Sequence, residues 1–264
     1  MKHLNQFITE YIVKKKLDKA IDSEHNYKYF PETKKQLIDN IKELLSKGET
    51  NLNCIDTSKI TDMGDLFSKI TDTKTINFDV SDWNVSNVKN MNNMFNCCFS
   101  FDCDLSKWNV SNVTSVTNMF YHCENFTGKG IENWDVSNVT IFGGMFNNCI
   151  NLSDVDLSNW DVSNGKYTNS MFFECKKFKG KGLDNWDVSN VINMEYMFMR
   201  CENLDCDLSQ WDVSNVQDMN HMFFECKNLI FDLSKWNIDS LNKCNDMFKY
   251  CKRKFIPNWY RNIK

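Results

Sequence analysis

Cysteine is the first residue type whose chemistry must be accounted for. The chain has twelve, and seven of them (Cys98, Cys123, Cys149, Cys175, Cys201, Cys226 and Cys251) recur every 25 or 26 residues. Neighbouring copies of a stacked unit lie about 5 Å apart, within reach of a disulfide. The equivalent place near the start of the chain holds Ile70, however, and the position falls on an apolar face. The sequence also lacks a recognisable export signal, so a reduced, buried thiol acting as a small hydrophobe is the expected state. The other five (Cys54, Cys97, Cys103, Cys206 and Cys244) do not have zinc-ligand spacing, and Cys97-Cys98 is a vicinal pair rather than a C-x-x-C.

Acid–base and phosphate chemistry find even less support. His3, His25, His122 and His221 stand in unrelated contexts, and the sequence contains no nucleophile elbow, phosphate loop or zinc-hydrolase motif. The glycine pairs in TGKGIENW and KGKGLDNW read as turns. The expectation is a protein that is not an enzyme, with no catalytic residue, metal or cofactor.

Carboxylates are the remaining candidates. Asp135, Asp161, Asp187 and Asp212 each follow a tryptophan, where Asn84, Asn109 and Asn237 stand in other copies. Two residues further on come Ser137, Ser163, Ser189 and Ser214. In a short strand with Trp and Val turned inward, these side chains face solvent and form the candidate binding face. Local turn bonding by Asp and Asn is one role for them. An acidic strip that meets a basic protein partner or a cation is the other. No aromatic interleaves with basic residues there, which argues against nucleic acid.

The elements that must hold these residues are repeats. Tryptophans at 83, 108, 134, 160, 186, 211 and 236 each precede a Met-Phe pair and then a ladder cysteine. A fixed period of this length marks a solenoid, whose units bury their apolar faces only by stacking. Within one copy, Leu105, Trp108 and Val110 predict a short strand. Val113, Val116, Met119, Phe120 and Cys123 predict a short helix, with Ser111 or Asn112 as its cap. The predicted fold class is therefore an α+β, leucine-rich-repeat-like solenoid of strand, turn and short helix. It spans residues 51–251 in about eight copies, the first degenerate, between an N-terminal helical cap over 1–50 and a C-terminal cap over 252–264. In the N-terminal cap, one helix is expected near Leu4 to Ile12 and a second from Pro31 to Gly48. The copy that opens at Trp160, the fourth with a tryptophan, departs from pattern at Gly165 to Thr168.

The segment DLSKWNVSNVTSVTNMFYHC and its echo DLSQWDVSNVQDMNHMFFEC resemble the repeat of BspA-like leucine-rich-repeat surface proteins, a group of bacterial lipoproteins. That resemblance implies adhesion or protein binding through the repeat surface and supplies no catalytic residues. With a net charge of −4, a polyanion-binding surface over the whole molecule is not expected. The functional expectation is non-catalytic protein recognition by the exposed strand face. The alternative is a structural component of a larger assembly, such as a phage virion or mobile-element particle. No transmembrane segment is expected, and a cytoplasmic or particle-associated location follows from the missing export signal.

Overall fold

The computed structural model describes residues 26–263. The copies stack as rungs of a column, held in register by single parallel bridges that run Asp62, Asn90, Ser115, Ile141, Tyr167, Asn193, Asp218, Lys243. Among the described residues these bridges do not extend into a sheet. Among the described residues the α-helices are α1 (Lys34–Ser46) and α2 (Asn258–Ile263), and both lie outside the ladder of copies. The expected leucine-rich-repeat-like α+β solenoid of strand–turn–helix units is thereby overturned.

The backbone of one copy shows why. Met119, Tyr121 and Cys123 donate their N–H groups to the carbonyls of Val116, Asn118 and Phe120, three residues back rather than four. The N–H groups of Val116, Asn118, Phe120 and His122 donate instead to the carbonyls of Ile141, Gly143, Met145 and Asn147 of the next rung. Alternate amides thus close local turns and tie rungs together. Asn118 and His122 have φ of +52° and +56°, and a left-handed residue every fourth position is incompatible with a right-handed helix. Neither Ser111 nor Asn112 caps a helix. The Ser111 N–H bonds Asn109, and the Asn112 amide reaches the Ser86 carbonyl.

These turns point the large side chains inward, and the same ring recurs in each rung. Phe95, Phe120, Phe146, Phe172, Phe198 and Phe223 stack with centroid separations of 5.4, 5.7, 5.6, 5.7 and 5.7 Å. A second ladder is made of tryptophans, with Trp108–Trp134 and Trp160–Trp186 each 6.2 Å apart and within 3° of parallel. Burying an indole requires a partner for its N–H. Each is satisfied by a carbonyl of the rung before, as in Trp108 to Val80 at 3.0 Å and Trp186 to Leu157 at 3.0 Å. At the rung of Trp160, a Cβ on Gly165 would lie 3.2 Å from the Phe142 ring. The departure at Gly165 therefore makes room for a larger side chain on the preceding rung.

Both ends pack onto this core. Thr33 and Gln36 form a capping box, so α1 begins at Lys34 rather than at Pro31 as expected. Its buried stripe is Leu37, Ile41, Leu44 and Leu45. The first expected helix, near Leu4 to Ile12, lies outside the described residues. At the other end, the Trp259 indole donates to the Leu233 carbonyl at 2.9 Å, and Tyr260 meets Phe248 edge-on at 5.0 Å.

The ladder cysteines are free thiols, and from Cys98 to Cys226 all are buried. Each Sγ from Cys123 onward donates to a phenylalanine carbonyl of the previous rung, Cys175 to Phe146 at 2.9 Å for example. Burial pushes the thiols of Cys123, Cys149, Cys201 and Cys226 well above the ordinary range. With neither exposure nor thiolate character, they should resist alkylation. Thiol-reactive labelling followed by peptide mapping should find Cys123, Cys149, Cys175, Cys201 and Cys226 unmodified in the native protein and fully modified in denaturant. Native labelling, or linked neighbours in a non-reducing map, would contradict this arrangement.

Candidate binding face

The position after each tryptophan is built by a local turn. The Oδ1 of Asn84, Asn109, Asp135, Asp161, Asp187, Asp212 and Asn237 accepts the N–H two residues on, at 3.0 to 3.1 Å. Asp135 also accepts the Ser137 hydroxyl at 2.6 Å. The Ser214 hydrogen bonds hold the Asp212 carboxyl below the usual carboxylate range. All seven Asp and Asn side chains are exposed, whereas Ser137, Ser163, Ser189 and Ser214 are half-buried. The serines serve the frame through their backbone. Asn164, Asn190 and Asn215 donate their side-chain amides to the carbonyls of Ser137, Ser163 and Ser189, each at 2.8 Å.

These cross-rung ties place the candidate residues in one row, rung upon rung, with Asp135, Asp161, Asp187 and Asp212 consecutive. Sequence reasoning missed the tying asparagines themselves, Asn87, Asn112, Asn138, Asn164, Asn190 and Asn215. Their signal was a polar residue repeated without change in the W-x-V-S-N run of the six consecutive copies from Trp83 to Trp211, which the copy at Trp236 replaces with WNIDS. An exposed position that only faces solvent has no reason to keep one side chain. A position whose amide must reach a fixed carbonyl does.

Charge on the neighbouring positions is largely cancelled between rungs. Lys107 pairs with Asp82, Lys129 with Asp104 at 3.0 Å and Lys181 with Asp156 at 2.8 Å. The Ser106 hydrogen bonds, followed by Lys129, bring the Asp104 carboxyl to about 2. Lys181, followed by Ser158, does the same for Asp156. The four aspartates of the row make no ion pair among the described residues, so their charge is left facing solvent.

A second face, on the Met-Phe turns, carries different side chains from rung to rung. Its later rungs bring Tyr196 against His221 at 4.9 Å, and Arg200 between Glu174 and Glu225 at 2.6 and 3.0 Å. His122 and His221 do not come together, since they stand on rungs 99 residues apart. Among the described residues, no group of three or more His, Cys, Asp or Glu is placed to hold a metal ion. Among the described residues, no helix is long and apolar enough to cross a membrane.

None of the curated proteins matches this chain. One family of repeat proteins does, over residues 35–155, 106–182 and 142–259, and these overlapping stretches cover most of the column. The overlap is what a repeating unit produces when it aligns in more than one register. The chain belongs to the family described as "Mycoplasma protein of unknown function, DUF285".

Proposed function

We propose that this is a non-catalytic recognition protein whose exposed row of Asn84, Asn109, Asp135, Asp161, Asp187, Asp212 and Asn237 binds a protein partner of basic character. The observation that carries this reading is that Asn and Asp make the same turn bond, at 3.1 Å for Asn109 and 3.0 Å for Asp161. The fold thus needs the oxygen and not the charge, yet four consecutive rungs carry a charge. Like charges in register cost some stability, so such a row is favoured where a partner neutralises it. The BspA-like character of the repeat supports the same reading, as does the rigidity of a stacked column, which orders no loop on binding.

The test is the variant Asp135→Asn, Asp161→Asn, Asp187→Asn, Asp212→Asn. A partner captured with the intact protein from its native source and identified by mass spectrometry is titrated against parent and variant at two salt concentrations. The variant should melt like the parent or slightly higher, bind more weakly, and show a flatter dependence on salt. Unchanged affinity and unchanged salt dependence would leave the row as turn chemistry alone.

A further inference from the structure

One tying asparagine differs from the others in the residue that follows it. Asn87, Asn112, Asn138, Asn190 and Asn215 each precede a valine, whereas Asn164 precedes Gly165, the only Asn-Gly pair in the chain. Such a pair carries its own chemistry. A backbone nitrogen can attack the side-chain amide carbon of the asparagine before it, and a following residue with no side chain leaves that nitrogen unshielded and its dihedrals free. The branched, stiff side chain of valine obstructs the same approach. Packing fixes the glycine here, since a Cβ on Gly165 would lie 2.9 Å from the Val162 carbonyl oxygen and 3.2 Å from the Phe142 ring. Making room for Phe142 therefore leaves a self-reactive pair whose asparagine is exposed to water.

In the closed rung both reacting groups are held away from that reaction. The Asn164 side-chain amide donates to the Ser137 carbonyl of the preceding rung at 2.8 Å. The Gly165 N–H closes a three-residue turn onto the Val162 carbonyl at 2.7 Å. The flanking backbone is pinned by Asn190 on the Ser163 carbonyl at 2.8 Å and by the Lys166 N–H on the Thr140 carbonyl at 2.9 Å. For the nitrogen to reach the amide carbon, the tie and the turn must both open. We infer that Asn164 is a self-modification site gated by its rung, inert while the tie to Ser137 is closed and converted by cyclisation when the rung opens. The Gly165 nitrogen gives its proton to solvent and bonds to Asn164 Cγ, while the bond from Cγ to Nδ2 breaks and Nδ2 takes up a proton to leave as ammonia. Water then adds to the cyclic imide and opens it to aspartate or isoaspartate. The net change is amide and water to carboxylate and ammonium. Either product ends the tie, because a carboxylate has no hydrogen to donate to the Ser137 carbonyl and sets oxygen against oxygen. The new charge falls on the same rung as Asp161, but the inference does not depend on what that row binds.

The experiment is peptide mapping by mass spectrometry of the full chain after incubation at neutral pH, folded and in denaturant, with fragmentation that separates isoaspartate from aspartate. In denaturant Asn164 should convert well ahead of Asn138 and Asn190. In the folded protein its conversion should be about tenfold or more slower, because a reaction confined to an open state is scaled by the population of that state. Denaturant below the unfolding transition should speed it. Asn138 makes the equivalent tie, to the Ser111 carbonyl at 2.7 Å, but precedes Val139. Asn164→Asp and Asn138→Asp should therefore both melt below the parent, although only the first change arises unaided. Conversion of folded Asn164 at the denatured rate would overturn the gating, and equal conversion of Asn138 and Asn164 in denaturant would overturn the role of Gly165. A melt of Asn164→Asp that matches the parent would overturn the consequence drawn for the tie. The conversion rates are read on the parent chain, so they decide the matter even if neither variant folds.

Discussion

Replacing Phe172 with Ala should destabilise the protein by about 3–5 kcal/mol, the usual cost of deleting a fully buried aromatic. The ring is 0% exposed. It is stacked 5.6 Å from Phe146 and 5.7 Å from Phe198, and lies 4.3 Å from Phe178. In a column each rung contacts only its neighbours, so a cavity in the middle weakens the two interfaces through which the halves are coupled. Chemical denaturation should show a lower midpoint. A reduced slope or a second transition would mark the halves unfolding separately. A loss below about 1 kcal/mol would mean that the ring is not packed as described.

The second large effect should come from one methyl group on the backbone. Gly182 has φ of +87°, and a Cβ there would stand 2.2 Å from the Ser158 nitrogen and 2.6 Å from its Cα. The obstacle is backbone of the preceding rung, so it cannot rotate away. The adjacent bond from the Leu157 N–H to the Lys181 carbonyl, 3.1 Å, would have to open. Gly182→Ala should therefore cost about 2–5 kcal/mol, combining left-handed strain with overpacking. Gly48→Ala is the control. Gly48 has φ of +78° but nothing within 4 Å of its would-be Cβ, so only the strain of about 1–2 kcal/mol applies. Thermal melts of the two variants separate rung contact from conformational strain. Equal losses would show that rungs do not approach closely at Gly182.

The period and the inward residues were readable because burial imposes them. Trp, Val, Met, Phe and Cys recur at fixed places, and all of those in the central rungs are buried. The local conformation was not readable from the same pattern. The offsets from Val113 to Val116, Met119, Phe120 and Cys123 fit one face of an α-helix and fit successive three-residue turns equally well. Glycine would have betrayed the left-handed positions, but only Gly144 does so among the Met-Phe turns. Ser170, Tyr196, Arg200 and His221 adopt φ of +55° to +60° in the equivalent places. Cross-rung hydrogen bonds at those same residues, such as Arg200 N–H to the Phe224 carbonyl at 2.8 Å, offset the strain. Such bonds join residues about 25 apart and leave no local trace in the sequence.

The candidate face was legible in the same partial way. Alternation about Trp and Val located the exposed Asp and Asn row, and the exchange of Asn for Asp pointed to turn bonding before any coordinate did. It did not show that the adjoining serines are half-buried, nor that the next asparagine reaches across to the previous rung. Ser137 illustrates the limit. Its hydroxyl and N–H are taken by Asp135, and its carbonyl by Asn164 one rung on. Only the first of these partners is near it in sequence.

All of this rests on the claim that alternate amides bond to the next rung while the rest close three-residue turns. Trans-hydrogen-bond scalar couplings between amide nitrogen and carbonyl carbon, measured on the deuterated, isotope-labelled protein, report donor and acceptor pairs directly. The Phe120 nitrogen should couple to the Met145 carbonyl carbon, its acceptor at 2.9 Å. The His122 nitrogen should couple to that of Asn147, 2.7 Å away. Couplings from Phe120 to Val116 and from His122 to Asn118, four residues back, would restore the helix and contradict the stacked-turn column.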